Sequence, residues 1–151
     1  KSALGNEAAL LEPLQKLTDL PIVPLSATFE RDLIPLPENE RAEFLQMVGL
    51  DAPRLPTLVQ TVYQQLHVQV FYTVGADTRA WLLPVGGTAL DAAGVIHSDI
   101  ARGFIRAEVC HADEVIAAGG WQNAHKAHKV RMEGKDYCMR DGDVIHVRFN
   151  V

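Results

Sequence analysis

The sequence predicts an α+β protein in two parts, and three observations carry that reading. Residues 1–67 place apolar side chains at helical 3–4 spacing. From Val68 the texture shifts to β-branched and aromatic runs that suit strands. The second part then runs as two strands, a helix and further strands with short helical insertions. At 151 residues, with 48% hydrophobic and 22% charged side chains, there is enough apolar material for a packed core.

In the first part, Glu7–Leu17 has leucines at 10, 11, 14 and 17, which predicts a helix; Pro13 inside it predicts a late start or a kink. Pro21–Leu25 is apolar and reads as a short buried strand ending at Ser26 and Ala27. Phe29–Pro37 is broken by Pro35 and Pro37. Glu38–Val48 reads as an amphipathic helix, with acids in its first turn and Gly49 as its stop. Asp51–Pro56 is a turn, and Leu58–Leu66 a further helix.

In the second part, Val68–Val74 and Arg79–Pro84 form a hairpin about the turn Gly75–Asp77. Gly86 and Gly87 break it. Thr88 opens a short helix as N-cap, with Asp91 at the capping-box position. Gly103–Val109 is a third strand, whose alternation puts Arg102, Phe104 and Arg106 on one side. Ala112–Ala118 is helical and stops at Gly119 and Gly120. Gln122–Met132 is polar, basic and partly helical, and Tyr137–Met139 a short strand. Arg140–Asp143 is a tight turn with Gly142 at positive φ, before a terminal strand over Val144–Val151. That order is the order of a ubiquitin-like β-grasp fold.

Charge and composition narrow the function classes. The net charge of −5 divides into −4 over residues 1–67 and −1 over 68–151. A net-acidic chain disfavours strong nonspecific nucleic-acid binding and leaves a local basic face open. No run is long and apolar enough for a membrane helix, and the N-terminus shows no signal-peptide core, so no membrane partner is expected. Two distant cysteines, Cys110 and Cys138, suit a reduced, cytoplasmic setting. The absence of an initiator methionine reads as a fragment of something longer. The strand at 21–25, if severed from a parent sheet, would leave an unpaired edge open to dimerisation.

Spaced blocks carry a family resemblance. They are Phe71–Gly75, Arg79–Trp81, Ala92–Asp99, Arg102–Val109, Glu133–Tyr137, Asp141–Asp143 and Phe149–Val151. Together they resemble the TGS domain of YchF-type (Obg-like) ATPases. Upstream, Val23–Ala27 with Glu30 resembles the last strand and base-contacting loop of that family's nucleotide domain. Glu40–Leu50 resembles its late helix. The resemblance implies a TGS domain over 68–151, preceded by the C-terminal remnant of a P-loop α/β nucleotide-binding domain over 1–67. It further implies a full-length enzyme that binds ATP (or GTP) with Mg²⁺ and associates with the ribosome or RNA. No G-x-x-x-x-G-K-[ST] run occurs in these residues, so no cofactor and no catalytic residue is expected here. Ser26 and Ala27 would line only the base edge of such a site.

The remaining chemistry concerns macromolecular contact. Ile96–Asp99 resembles an Ile-His-Ser-Asp in the TGS domains of (p)ppGpp synthetases, where that module contacts tRNA on the ribosome. His97 is then a stacking or phosphate-contacting ring, or else a helix-terminal histidine satisfied by its own backbone. Lys126, Lys129, Arg131 and Lys135, with His125, His128 and Trp121 nearby, form either a phosphate-contacting ridge or a solvated face; Lys126 and Lys129 are three apart and would share a helix face. Arg102 and Arg106 extend that face. His125-x-x-His128 and Cys110-His111 lack the converging ligands of a zinc site, and no metal is expected.

Overall fold

A computed structural model describes residues 7–75 and 78–150. The expected turn residues Ala76 and Asp77, and the terminal Val151, lie outside the described residues. The chain divides into two compact units, 1–65 and 66–151. Among the described residues no helix is long and apolar enough to cross a membrane.

The first unit is helical: α1 (Glu7–Gln15), α2 (Ala27–Leu33), α3 (Glu38–Met47) and α4 (Leu55–Gln65). Pro13 lies inside α1. The strand expected at 21–25 is not there. Residues 21–26 are irregular and join no ladder, because Pro21 and Pro24 lack amide donors and the described residues of this unit hold no strand to pair with. The unpaired edge invoked for dimerisation is therefore not formed. Helix α2 was hidden by the prolines that follow it, yet its signal is local: the Ser26 hydroxyl accepts from the Phe29 amide at 3.3 Å and caps it. Leu33, Leu45 and Leu50 make a small core, and Phe29 and Phe44, stacked on each other with ring centroids 5.2 Å apart, pack against it. Helix α4 starts three residues earlier than its apolar pattern, with Pro56 in its first turn, where a missing amide costs nothing.

The second unit is a five-stranded sheet with helices on both faces. Its elements are β1 (Val68–Thr73), β2 (Arg79–Pro84), α5 (Ala89–Ile96), α6 (Ser98–Arg102), β3 (Phe104–His111), α7 (Ala112–Ala117), α8 (Trp121–Lys126), β4 (Arg131–Glu133) and β5 (Asp143–Phe149). Spatial order is β2-β1-β5-β3-β4, with β1 and β5 parallel and every other pair antiparallel. Alternation gives the sheet an inner face of Phe71, Leu83, Ala107, Val109 and Ile145, which pack on Ala89 and Ala92 of α5. The segment 137–139 is reduced to one bridge, Thr88 to Cys138. The Tyr137 carbonyl, with that of Lys135 just before the segment, serves α5 instead. The amides of Ala89 and Leu90 bond to the oxygens of Tyr137 and Lys135, and the Asp91 amide bonds to the Thr88 hydroxyl. All three leading donors of the helix are thus satisfied.

Thr88 and Asp91 form the expected capping box. The Thr88 backbone amide, then its hydroxyl, hold the Asp91 carboxyl below the ordinary range. Thr88→Ala should cost about 1 kcal/mol of stability, read as a lower urea midpoint with an unchanged slope.

The turn at 140–143 ties β1 and the start of α7 to the start of β5. Gly142, at φ 82°, sends its amide to the Val70 oxygen, and its own oxygen accepts from Ala112. Asp141 accepts from the Val70 amide at 2.8 Å. Asp143 is buried and accepts from the Tyr137 hydroxyl at 3.0 Å and the Arg140 amide at 2.9 Å.

Candidate nucleic-acid interface

The expected contact residues fall on separate parts of the second unit. His97 stands at the junction of α5 and α6, a helix that the sequence reading missed. Its Nδ1 accepts from the Asp99 amide at 3.1 Å and so caps α6. In the neutral ring that leaves Nε2 as the outward donor. Arg102 ends α6 and is ion-paired to Asp99 at 2.8 Å. It does not share a strand with Arg106, because a separate helix turn intervenes and Gly103 closes it. Beside this corner Thr73, Trp81, Ile96, Ile100 and Phe149 line a groove of about 350 Å³.

Phe104 and Arg106 do not share a side either. Phe104 is opposite Phe149 whereas Arg106 is opposite Arg148, a one-residue slip that marks a bulge at Ile105. Phe104 packs on the inner core, and Arg106 is turned to the outer face.

Residues 126–135 do not form one ridge. Helix α8 ends at Lys126 because His128 adopts φ 56°. The Lys129 amide bonds to the Ala124 oxygen and the His128 amide to the His125 oxygen, a Schellman end that carries Lys129 off the helix. Lys129 pairs with Glu114 at 3.4 Å. Arg131 is on β4 opposite Val109, so it points away from the outer face; it donates to Glu133 and to the Tyr137 hydroxyl, each at 3.2 Å. Lys126 and Lys135 are exposed. Trp121 opens α8 and is half-buried.

What the residue pattern did not reveal is the arrangement round Glu108. This side chain sits on the outer face and is only 4% exposed. One of its oxygens accepts from Arg148 and the other meets His146 Nδ1 at 3.1 Å, while His125 of α8 approaches to 3.6 Å. Burial alone would raise its pKa; the hydrogen bonds and charges of Arg148 and His146 outweigh that and hold it below the ordinary glutamate range. A period-two strand with an acid between Arg106 and Cys110 was the only available hint, because its partners lie 17–40 residues away in sequence.

Cys110 lies on the same face, fully buried near Glu114. Burial and then the Glu114 charge push its thiol upward, away from thiolate chemistry. Among the described residues no three His, Cys, Asp or Glu side chains converge on a metal position.

Fold and site together define a mixed α+β module on a five-stranded sheet, with basic side chains displayed from rigid elements. The chain belongs to the YchF family: the model "YchF-GTPase_C: Protein of unknown function (DUF933)" matches residues 68–150, and the chain corresponds to the C-terminal region of a YchF/Obg-like ATPase. It is 44% identical over 131 residues to the "Ribosome-binding ATPase YchF" of Pasteurella multocida, covering 86% of this chain and 36% of that protein. Identity to the protein of the same name from Bacillus subtilis is 40%, with the same coverage. With the "Obg-like ATPase 1" of Caenorhabditis elegans it is 39%, covering 85% of this chain and 33% of that one. The Schizosaccharomyces pombe YchF GTPase structure superposes with a TM-score of 0.70 at 26% identity, over 98% of this chain and 39% of that one. The chain thus spans about a third of the length of the curated relatives it matches.

Proposed function

We propose that these residues are the C-terminal part of a cytoplasmic, ribosome-associated ATPase, and that residues 68–151 are a TGS domain that binds RNA or the ribosome. On this reading residues 1–67 are the tail of its P-loop nucleotide-binding domain. ATP (or GTP) and Mg²⁺ are then bound and turned over by the rest of the full-length protein. Ser26 and Ala27 contribute at most to the base edge, since the Ser26 hydroxyl already caps α2.

The observation that supports the reading is the strand order β2-β1-β5-β3-β4 with a parallel central pair and α5 across one face, the arrangement a ubiquitin-like β-grasp would require. Relatives named for ribosome binding share this stretch of sequence. His97, Arg102, Arg106, Lys126, Lys129, Arg131 and Lys135 are its contact candidates; of these Arg106, Lys126 and Lys135 are exposed without a carboxylate partner among the described residues. Co-sedimentation of the 151-residue chain with ribosomal subunits tests it. Binding is expected that weakens steeply from low to physiological salt. Failure to sediment at low salt would remove the proposal.

A second reading has its own observation. Helix α4 buries none of its side chains, and Leu55, Val59 and Val62 form an exposed stripe at 4- and 3-residue steps. That stripe suits an intramolecular structural role, in which these residues dock on the remainder of the nucleotide domain without RNA contact. Apolar docking of this kind would be insensitive to salt, which separates the two readings.

A further inference from the structure

We propose that the outer face of the sheet, where Arg106 and Arg148 stand opposite each other beside His146 and His125, is the patch that grips an RNA phosphate backbone. The inference rests on the RNA-binding reading above and moves its contact surface off residues 126–135.

The ladder sets Arg106 and Arg148 directly across from one another on β3 and β5. Like charges in that position repel, so the pair is costly unless something negative joins it. Glu108 supplies one negative charge, and it is occupied: one oxygen takes Arg148 and the other takes His146. Arg106 has no carboxylate partner among the described residues. The bulge at Ile105 is what brings it to this face; an unbulged strand would have aimed it at the side of Phe104. Bulges of this kind re-aim side chains, and here the result is an uncompensated cation held on a rigid strand.

The geometry suits a phosphodiester. Opposite residues in a ladder have Cβ atoms about 5 Å apart, so two planar guanidinium forks can reach the two free oxygens of one phosphate. His146 and His125 stand half-exposed beside Glu108; each turns one ring nitrogen to that carboxylate, which leaves the second nitrogen for the same anion. Arg148 itself is 56% exposed at its side chain, open enough to accept a second partner. Of the other candidates, Arg102 is tied to Asp99, Lys129 to Glu114 and Arg131 to Glu133, while Lys126 and Lys135 are exposed but have no cation set opposite them in a ladder.

The test is fluorescence anisotropy of a labelled single-stranded RNA of mixed sequence, titrated with the 151-residue chain at several salt concentrations. Arg106→Ala with Arg148→Ala should weaken binding about 25-fold at 0.1 M salt and lower the log–log salt slope by about 1.4. Arg106→Ala alone, which leaves Glu108 and its partners intact, should lower the slope by about 0.7 and affinity about 5-fold. Unchanged slopes in both variants, with RNA still bound by the parent chain, would overturn the patch and leave the RNA reading standing. No RNA binding by the parent chain would overturn both. Equal competition by polyglutamate would overturn the RNA assignment in favour of an acidic polypeptide.

Discussion

Gly103→Ala lowers the thermal unfolding midpoint of the second unit by roughly 10 °C, the expected result of forcing one methyl group into a closed space. The backbone angle is not the reason, since φ is −91°. The reason is close approach. A Cβ at this position would lie 2.1 Å from the Asn150 oxygen and 2.8 Å from its carbonyl carbon. Those are main-chain atoms, which cannot rotate aside as the end of a side chain would. Gly103 and Asn150 also share a hydrogen bond, the Asn150 amide donating to the Gly103 oxygen at 2.9 Å. The alanine must therefore push the end of β5 off the start of β3, with loss of the Phe104–Phe149 pair beyond it. Gly134→Ala is the matched control, because nothing lies within 4 Å of its added Cβ. Equal midpoints for the two variants, by circular dichroism, would show that the strand end yields freely.

Glu108→Gln is expected to cost about 1.5–3 kcal/mol at neutral pH, the range for hydrogen bonds to a charged group. The carboxylate is buried and is the shared acceptor of Arg148 and His146. The neutral amide keeps the shape and loses the charge. The acid range supplies a signature that a packing defect lacks. Arg148 and His146 hold the Glu108 pKa below its unfolded value despite burial. A depressed carboxylate contributes stability that is complete above the unfolded pKa and is lost as pH falls through the folded one. Parent and variant should therefore differ fully in urea unfolding above about pH 5, and the gap should close only as pH falls below the ordinary glutamate range and through the depressed folded value. A gap that persists undiminished into acid would assign the loss to packing. Combining Glu108→Gln with Arg148→Ala should give a coupling of about 0.5–3 kcal/mol, since the two side chains share one contact.

Much of the fold was legible because its signals are local. Thr88 and Asp91 specify a capping box within four residues, and Gly142 declares its turn by tolerating a left-handed backbone. The hairpin of β1 and β2 follows from alternation on either side of a short turn. Where reading failed, a competing local effect or a distant partner intervened. Pro21 and Pro24 sit in an apolar run that looks like a strand, but they cannot donate to a ladder. His128 looks like one more residue of a basic helix, yet its positive φ ends that helix and separates Lys129 from Lys126. Strand alternation places Phe104 and Arg106 together, and one extra residue at Ile105 reverses it.

The candidate site divides the same way. That cations occur at 97–106 and 126–135 is a matter of composition, and family membership follows from sequence blocks across the second unit. Which cations remain free is a matter of who lies across the ladder. Arg148 was not singled out by any local pattern, because its meaning comes from Arg106 and Glu108 about 40 residues earlier.

Sequence alone therefore decided the Thr88 cap, the hairpin, the tight turn and the family, since each is written in neighbouring residues or in spaced identities along the chain. Only the tertiary structure decided the bulge, the placing of Arg106 opposite Arg148 and the burial of Glu108. Register between β3 and β5 sets all three, and register is fixed by the packing of a whole face, not by any short run of residues.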